Sequence, residues 1–187
     1  MGDVKQMLKY HSGWTIKHWR EIHGIWVLLW EETATDRNIL HDTGEIAILS
    51  AFFATGMTNY GATQANLYLG LDKRASLAEA DTLATLSEIT KSGYERKALS
   101  TAGTGASGQD FYINQPAAYY RAESKTVTWT AGENWVDALK NIFLASDLTA
   151  VVDGDGDHLI CSLALSTPRT LMNGDKLEGS MYLGLSE

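Results

Sequence analysis

The fold class is decided by the stretch Leu159-Ile160-Cys161-Ser162-Leu163-Ala164-Leu165-Ser166. Its odd positions are all apolar, whereas its even positions include Ser162, Ala164 and Ser166. A period of two is typical of a strand that buries one face. We therefore expect Leu163 to lie in a core and the thiol of Cys161, on the same face, to be protonated and unreactive.

Similar apolar segments recur along the chain. At the C-terminus, Leu177, Met181, Leu183 and Leu185 share one face, and Gly174 supplies the turn before them. Further candidate strands, separated by turn residues, are 66–71, 94–99, 119–129 and 135–145. Six or more short strands joined by turns are typical of a sandwich or barrel. We predict a mainly β protein, an antiparallel β-sandwich of jelly-roll-like form.

The first third of the chain differs from the rest. Ile46, Leu49 and Phe53 recur at helical spacing, which predicts one helix near residues 43–55. Further upstream, Trp19 and Ile22 share a helical face, so His18 and His23 should be partly exposed on a helix, whereas 25–30 reads as a strand. We accordingly divide the chain into a Trp-rich N-terminal arm, residues 1–35, and a β-sandwich domain, residues 36–187.

The arm holds four of the six tryptophans within 17 residues: Trp14, Trp19, Trp26 and Trp30. Two interpretations are open for them. Tryptophan is usually well buried, so the indoles could complete the core. Tryptophan is also enriched among the residues that dominate binding energy, so the same four side chains are candidates for a partner interface.

Composition excludes several classes of protein. The formal net charge is -8 for 187 residues, which argues against a protein that binds phosphate backbones, and we expect no nucleic-acid partner. The most apolar run, residues 25–30, is far shorter than the about 20 residues that cross a bilayer, so we expect no membrane association. The single cysteine cannot form an internal disulfide.

Three motifs could suggest chemistry, and none is complete. Residues 103–108 match the letters of a dinucleotide fingerprint, but the segment after them does not read as a helix. Residues 153–157 carry a carboxylate at every second position, as the first half of a calcium-binding EF-hand loop does. The glycine and the bidentate glutamate that such a loop requires are missing. The five histidines, at positions 11, 18, 23, 41 and 158, show no paired metal spacing. We therefore predict no metal, no cofactor and no catalytic residue, and a protein that is not an enzyme.

The order of several short motifs is more informative than any one of them. Residues 44–53 come first, and the later motifs are Asn66-Leu67-Tyr68-Leu69-Gly70-Leu71, Gly93-Tyr94-Glu95-Arg96, Leu165-Ser166-Thr167-Pro168 and Asn173-Gly174-Asp175. This order resembles that of small virion proteins of tailed bacteriophages, of the head decoration, collar or tail-fibre type. The resemblance spans about residues 40–187. Residues 135–144 depart from the usual pattern of that group, and the Trp-rich arm has no counterpart in it.

The resemblance implies a non-enzymatic building block of a virus particle, located on its outer surface. We expect a capsid decoration (cement) protein that binds and stabilises the head. Its partners should be the major capsid protein or other virion proteins. The resemblance also implies a homo-oligomer and favours a trimer. A collar, neck, tail or fibre-anchoring protein is the alternative. A carbohydrate-binding β-sandwich module is a second one, with Tyr119, Tyr120 and Trp129 as stacking candidates.

Overall fold

Strands dominate the computed structural model, which describes residues 9–35, 39–45, 48, 66–116, 119–146 and 158–186. Residues 42–45 are helical, and Leu83–Thr85 form a 3-10 turn. The strands within these ranges are β1 (Lys9–Ile22), β2 (Ile25–Thr35), β3 (Ile39–Leu40), β4 (Asn66–Asp72), β5 (Lys97–Ser100), β6 (Phe111–Asn114), β7 (Tyr120–Ser124), β8 (Val127–Thr130), β9 (Trp135–Ala145), β10 (Leu159–Leu171) and β11 (Lys176–Ser186).

The strands form two sheets in which neighbours run antiparallel. The first sheet has the order β2-β1-β11-β7-β6, and β8 also pairs with β11. The second has the order β3-β10-β9-β4-β5. One apolar core joins residues of both sheets. This architecture confirms the predicted mainly β, sandwich-like fold.

The core is built from the alternating apolar positions that the sequence indicated. On β10, Leu163 is buried whereas Ala164 is exposed, and on β11 both Leu177 and Met181 are buried. Ser162 is buried as well, although its position predicted the outward face, because His41 covers it. The largest fully buried side chains of the main core cluster are Trp14, Ile16, Leu69, Leu71, Leu99, Trp129, Trp135, Leu139, Ile142 and Leu144.

The N-terminal strands belong to the sandwich. β1 pairs with β11 without interruption from Lys9↔Ser186 to Trp19↔Lys176. It also places Trp14 in the core, where this side chain is 1% exposed. The division at residue 35 therefore does not separate an extension from a complete sandwich, since residues 9–35 supply two strands of its first sheet.

The helix predicted around Trp19 and Ile22 is wrong, because both residues lie in β1. The side chains alternate between the two faces of the strand, so His18 turns inward and is buried, contrary to the predicted exposure. His23 lies in the turn that follows the strand. The other predicted helix, near residues 43–55, is described only at residues 43–45 and 48, which are helical, and its remainder lies outside the described residues.

Candidate interaction surface

A hairpin made by β1 and β2 projects beyond the sandwich. Its turn consists of His23, with φ 53°, and Gly24, with φ 80°. Positive φ at both central residues is the geometry of the two-residue turns that match the twist of a hairpin. Pairing with β11 ends at Trp19, so beyond that point β1 pairs only with β2. We call residues 22–29 the hairpin tip.

The hairpin tip concentrates the exposed apolar surface of the molecule. Of ten large hydrophobic side chains that are exposed among the described residues, six belong to it: Ile22 (43% exposed), Ile25 (67%), Trp26 (38%), Val27 (37%), Leu28 (40%) and Leu29 (42%). Single exposed apolar residues are common on protein surfaces, whereas a contiguous group marks an interaction site. Among the residues that the structure describes, the tip is therefore the best candidate for a binding surface.

The tip is apolar on both faces. Residues directly opposite in an antiparallel pair share a face, and the pairs Ile22↔Ile25 and Arg20↔Val27 place Ile22, Ile25 and Val27 on the core-side face, the one continuous with the core. The pairs Glu21↔Trp26 and Trp19↔Leu28 place Trp26 and Leu28 on the opposite, outer face. Leu29 is the extra residue at a β-bulge opposite the step from His18 to Trp19.

An ion pair fixes the base of the tip to the turn between β10 and β11. Arg20 donates from Nε to Oδ1 and from Nη2 to Oδ2 of Asp175, both at 2.8 Å. The His18 ring lies on the same carboxylate, with Nε2 2.8 Å from Oδ2, and the backbone N–H of Met172 donates to it at 2.8 Å. Burial alone would raise the pKa of Asp175, but these hydrogen bonds and the charge of Arg20 lower it to about 2.

Two cations hold the indoles of β2. Lys176 Nζ lies 3.8 Å from the ring centroid of Trp26, and the Arg169 guanidinium carbon lies 4.0 Å from that of Trp30. Both distances are well inside the range of cation–π attraction. Trp19 adds a hydrogen bond from its indole N–H to Glu178, at 2.9 Å. Lys176 of β11 thus holds the tip itself, whereas Arg169 of β10 and Glu178 of β11 hold the hairpin beneath it.

The four tryptophans predicted as an interface have different environments. Trp14 is a core residue, and Trp30 is partly buried against the core. Trp19 is partly exposed, and Trp26 is the most accessible of the four. The core interpretation is confirmed for Trp14, whereas an interface role for the exposed Trp26 stays a prediction. The exposed aliphatic residues of the tip were not singled out beforehand, although the uninterrupted apolar run 25–30 carried the signal.

The tip is uncharged, whereas the hairpin beneath it is not. No Asp, Glu, Lys or Arg occurs at residues 22–30. Glu31 lies 3.5 Å from Lys17, and Glu32 accepts hydrogen bonds from the backbone N–H and the hydroxyl of Ser166, the latter at 2.8 Å. An approaching protein would therefore meet apolar surface at the end of the hairpin and paired charges at its base.

The other motifs do not converge on a second site. The glycine loop 103–108 leads into the strand β6, which confirms that no helix follows it. The acidic run 153–157 lies outside the described residues. Among the residues that the structure does describe, no group of three His, Cys, Asp or Glu side chains is placed to hold a metal ion.

A buried Ser–His pair was not predicted from the sequence. His41 Nε2 lies 2.8 Å from Ser162 Oγ, and His41 Nδ1 lies 3.0 Å from the carbonyl of Ala78. A nucleophile and its base would use this spacing. Both residues are fully buried, however, so no substrate can reach the hydroxyl, and the pair joins the segment at His41 to β10.

Burial also raises the pKa of Cys161 to about 12, which confirms the protonated thiol.

The aromatic residues proposed for sugar stacking are also separated by the fold. Trp129 is fully buried and donates its indole N–H to the carbonyl of Glu95 at 2.8 Å. Tyr119 stacks on His11 with ring centroids 4.1 Å apart. Tyr120 is exposed. Trp129 therefore cannot serve as a stacking platform, which removes one of the three candidates.

Comparison with known proteins adds no family assignment. No protein-family model matches the chain, and no curated protein shows significant sequence similarity to it. In the part of the chain that the structure describes, none of the helical segments is long and apolar enough to span a bilayer. The geometry of the hairpin and the sandwich is therefore what bears on the function of this chain.

Proposed function

We propose that this chain is a non-enzymatic structural protein of a bacteriophage virion, a decoration (cement) protein that binds the outer surface of the head and stabilises it. The observation that carries the proposal is the hairpin tip: six exposed apolar side chains lie on a rigidly anchored ribbon that projects from a well-packed sandwich. Such a ribbon suits protein–protein contact, because apolar area removed from water drives association.

The anchoring of the tip supports a role in assembly. The Arg20–Asp175 ion pair and the two cation–π contacts hold the ribbon before any partner binds. A preorganised surface loses less conformational entropy on binding than a mobile one. The hairpin can therefore contribute affinity in each of many identical positions on a particle, where multiplicity strengthens weak single contacts.

The charge of the chain agrees with an outward position. A formal net charge of -8 opposes contact with packaged DNA. A protein that binds the mature shell better than its precursor or its dissociated subunits stabilises the mature shell by ordinary linkage. Stabilisation of the head thus requires only that the surface of this protein fits the surface of the mature shell, and it needs no chemical reaction.

The test is electron cryo-microscopy of the phage particle whose genome encodes this chain. Density of this sandwich repeated over the icosahedral shell is the expected result. Density confined to the portal vertex or the tail would replace decoration by a collar or tail role. Absence of the chain from purified particles, checked by mass spectrometry, would overturn the virion assignment.

A matched pair of variants links the result to the hairpin. Leu28→Asp places a charge on the tip, whereas Val136→Asp places one at an apolar residue of β9 that is more exposed than Leu28. We expect particles to lose Leu28→Asp protein and to retain Val136→Asp protein. Equal occupancy of both variants would show that the hairpin plays no part in particle binding.

A further inference from the structure

The long strand β2 is an open edge of the first sheet. Among the described residues, the first sheet ends at β2 and β6 and the second at β3 and β5. β3 has two residues, and β5 and β6 have four each, whereas β2 has eleven. An edge strand presents backbone N–H and C=O groups that can pair with a further strand. β2 therefore offers the longest edge for such pairing.

The end strands β5 and β6 are protected against such pairing. On β6 the N–H of Ile113 donates to the carbonyl of Gly105 at 2.8 Å. On β5 the N–H of Ser100 donates to the carboxylate of Asp110 at 2.8 Å. Proteins commonly cover the edges of their sheets in this way. These contacts occupy backbone groups that a further strand would need.

The base of β2 is also covered, but its first six residues are not. Glu32 accepts a hydrogen bond from the N–H of Ser166 at 3.0 Å, which joins this part of β2 to β10. Residues 25–30 contain no Asp, Glu, Lys, Arg or Pro, although charged residues and proline are what proteins commonly use to prevent pairing at an edge. The unprotected part of the edge is thus residues 25–30.

The geometry of the hairpin sets the direction of its backbone groups. The pair Ile22↔Ile25 closes the two-residue turn and is therefore of the hydrogen-bonded kind. Hydrogen-bonded and non-hydrogen-bonded pairs alternate along an antiparallel ladder. The N–H and C=O groups of Trp26 and Leu28 consequently point away from β1, toward the open edge.

We propose that an extended segment of a head protein adds to β2 as a further strand along residues 25–30. The side chains of the added strand lie beside Ile25 and Val27 on the core-side face and beside Trp26 and Leu28 on the outer face. The segment is therefore uncharged and apolar at consecutive positions, unlike a surface strand in which apolar and polar residues alternate. This inference rests on the proposed function, because it names the part of the head that the hairpin binds.

Backbone pairing supplies what the side chains of the tip alone do not. With roughly 200 Å² for a large side chain, the exposed fractions of the six tip residues leave about 500 Å² of apolar surface. That area is less than the about 800 Å² that each partner buries in a typical specific interface. An added strand of six residues, about 20 Å long, also covers the backbone edge and makes main-chain hydrogen bonds that give affinity and fix the register.

A second copy of β2 would fit this edge poorly. In an antiparallel pair of two β2 strands centred on Leu28, Ile25 of each copy lies opposite Glu31 of the other. Copies of a chain with a formal net charge of -8 also repel one another. An uncharged segment of another protein meets neither obstacle.

The test is hydrogen exchange of this chain, alone and bound to heads purified from phage that lack its gene, read by mass spectrometry with residue-resolving fragmentation. We expect the amides of Trp26 and Leu28 to exchange rapidly in the isolated chain and at least about tenfold more slowly on heads, because they become hydrogen-bonded. Unchanged exchange of both amides on heads would overturn strand addition. Slow exchange already in the isolated chain would mean that the edge is occupied without a head protein, which would overturn it as well.

A matched pair of variants tests the backbone directly. Leu28→Pro removes an outward N–H, whereas Leu28→Ala shortens the same side chain and keeps that N–H. We expect Leu28→Pro to bind heads at least about tenfold more weakly than Leu28→Ala, because a main-chain hydrogen bond is lost. Equal affinities would contradict the pairing. Thermal unfolding checks that both variants are folded, and Trp26→Pro with Trp26→Ala repeats the comparison at the other outward N–H.

The outcomes separate this inference from the proposed function. Heads that do not bind the chain at all would refute the proposed function, and with it the partner named here. Heads that bind the chain while both amides keep their exchange rates would refute this inference alone, since the hairpin would then bind through its side chains only.

Discussion

Arg20 and Asp175 form a two-bond ion pair across 155 residues of sequence, at the point where the hairpin leaves the sandwich. The carboxylate is almost fully buried, whereas the guanidinium is about a third exposed. The Asp175 carboxylate also accepts a hydrogen bond from the backbone N–H of Met172, in the turn that precedes β11, and lies within hydrogen-bond distance of His18. One side chain thus orients both the hairpin and the β10–β11 turn.

Replacement of Asp175 should destabilise the fold. In Asp175→Asn an NH2 group replaces one carboxylate oxygen and cannot accept the hydrogen bonds donated by Arg20 and by the backbone N–H of Met172. At least one buried hydrogen bond is therefore lost together with the ion pair. We expect a loss of about 2–4 kcal/mol in the free energy of unfolding, measured by urea titration. Asp137→Asn is the control, since that half-exposed carboxylate lies 3.5 Å from Lys73 and should contribute less than about 0.5 kcal/mol. Equal effects of the two substitutions would contradict the role assigned to Asp175.

The same carboxylate predicts a dependence of stability on pH. Its pKa of about 2 in the folded chain lies below the ordinary 3.8, so the stabilisation is complete above about pH 4 and is lost as the pH falls toward 2. The expected loss is about 2 kcal/mol, seen as a lower urea midpoint at pH 2.5 than at pH 5. The urea midpoint of Asp175→Asn should change less between pH 5 and pH 2.5 than that of the original chain. An equal change in both would assign the acid sensitivity to other carboxylates.

The assignment of faces on β10 can be tested with adjacent residues. Leu163→Asp buries an unpaired carboxylate in the core and should cost several kcal/mol, enough to leave little folded protein. Ala164→Asp places the same group on the exposed face and should change the melting temperature by only a few degrees. Circular dichroism during heating compares the two variants, and similar melting temperatures would mean that the faces are reversed.

Much of the sandwich could be predicted because its signals are local. The bounds predicted for Trp135–Ala145 are those of β9, and Gly174 adopts a positive φ in the predicted turn. Alternation also identified the buried faces of β10 and β11. Each of these features depends on residues close together in the chain.

The errors arose where distant residues decide the structure. The segment at Trp19 and Ile22 has a spacing that suits a helix, but eleven pairs with β11 and the turn at Gly24 make it a strand. His18 is buried because Asp175, 157 residues away, provides its partner. The residues predicted as an interface lie on the segment that forms this hairpin, yet only the pairing across its two strands reveals that the tip is apolar on both faces.

Removal of residues 1–30 should unfold the sandwich, although the sequence divides the chain into an arm and a separate domain. A separate arm could be deleted without unfolding the sandwich. In the structure, however, the deletion removes Trp14 and Ile16 from the core and leaves the edge of β11 unpaired from Lys176 to Ser186. Loss of two large core side chains costs about 6 kcal/mol or more, comparable to the whole stability of a typical domain.

We therefore expect the truncated chain to be unfolded or aggregated, measured by circular dichroism and by its solubility. The matched variant replaces only tip residues, Ile25→Thr, Val27→Thr and Leu28→Thr, and should remain folded, because these side chains are exposed and Thr keeps the preference for a strand. A folded, soluble truncated chain would show that β1 and β2 are dispensable for the sandwich. If the tip variant folds and the truncated chain does not, the base of the hairpin completes the core, whereas the apolar side chains at its end are not needed for folding.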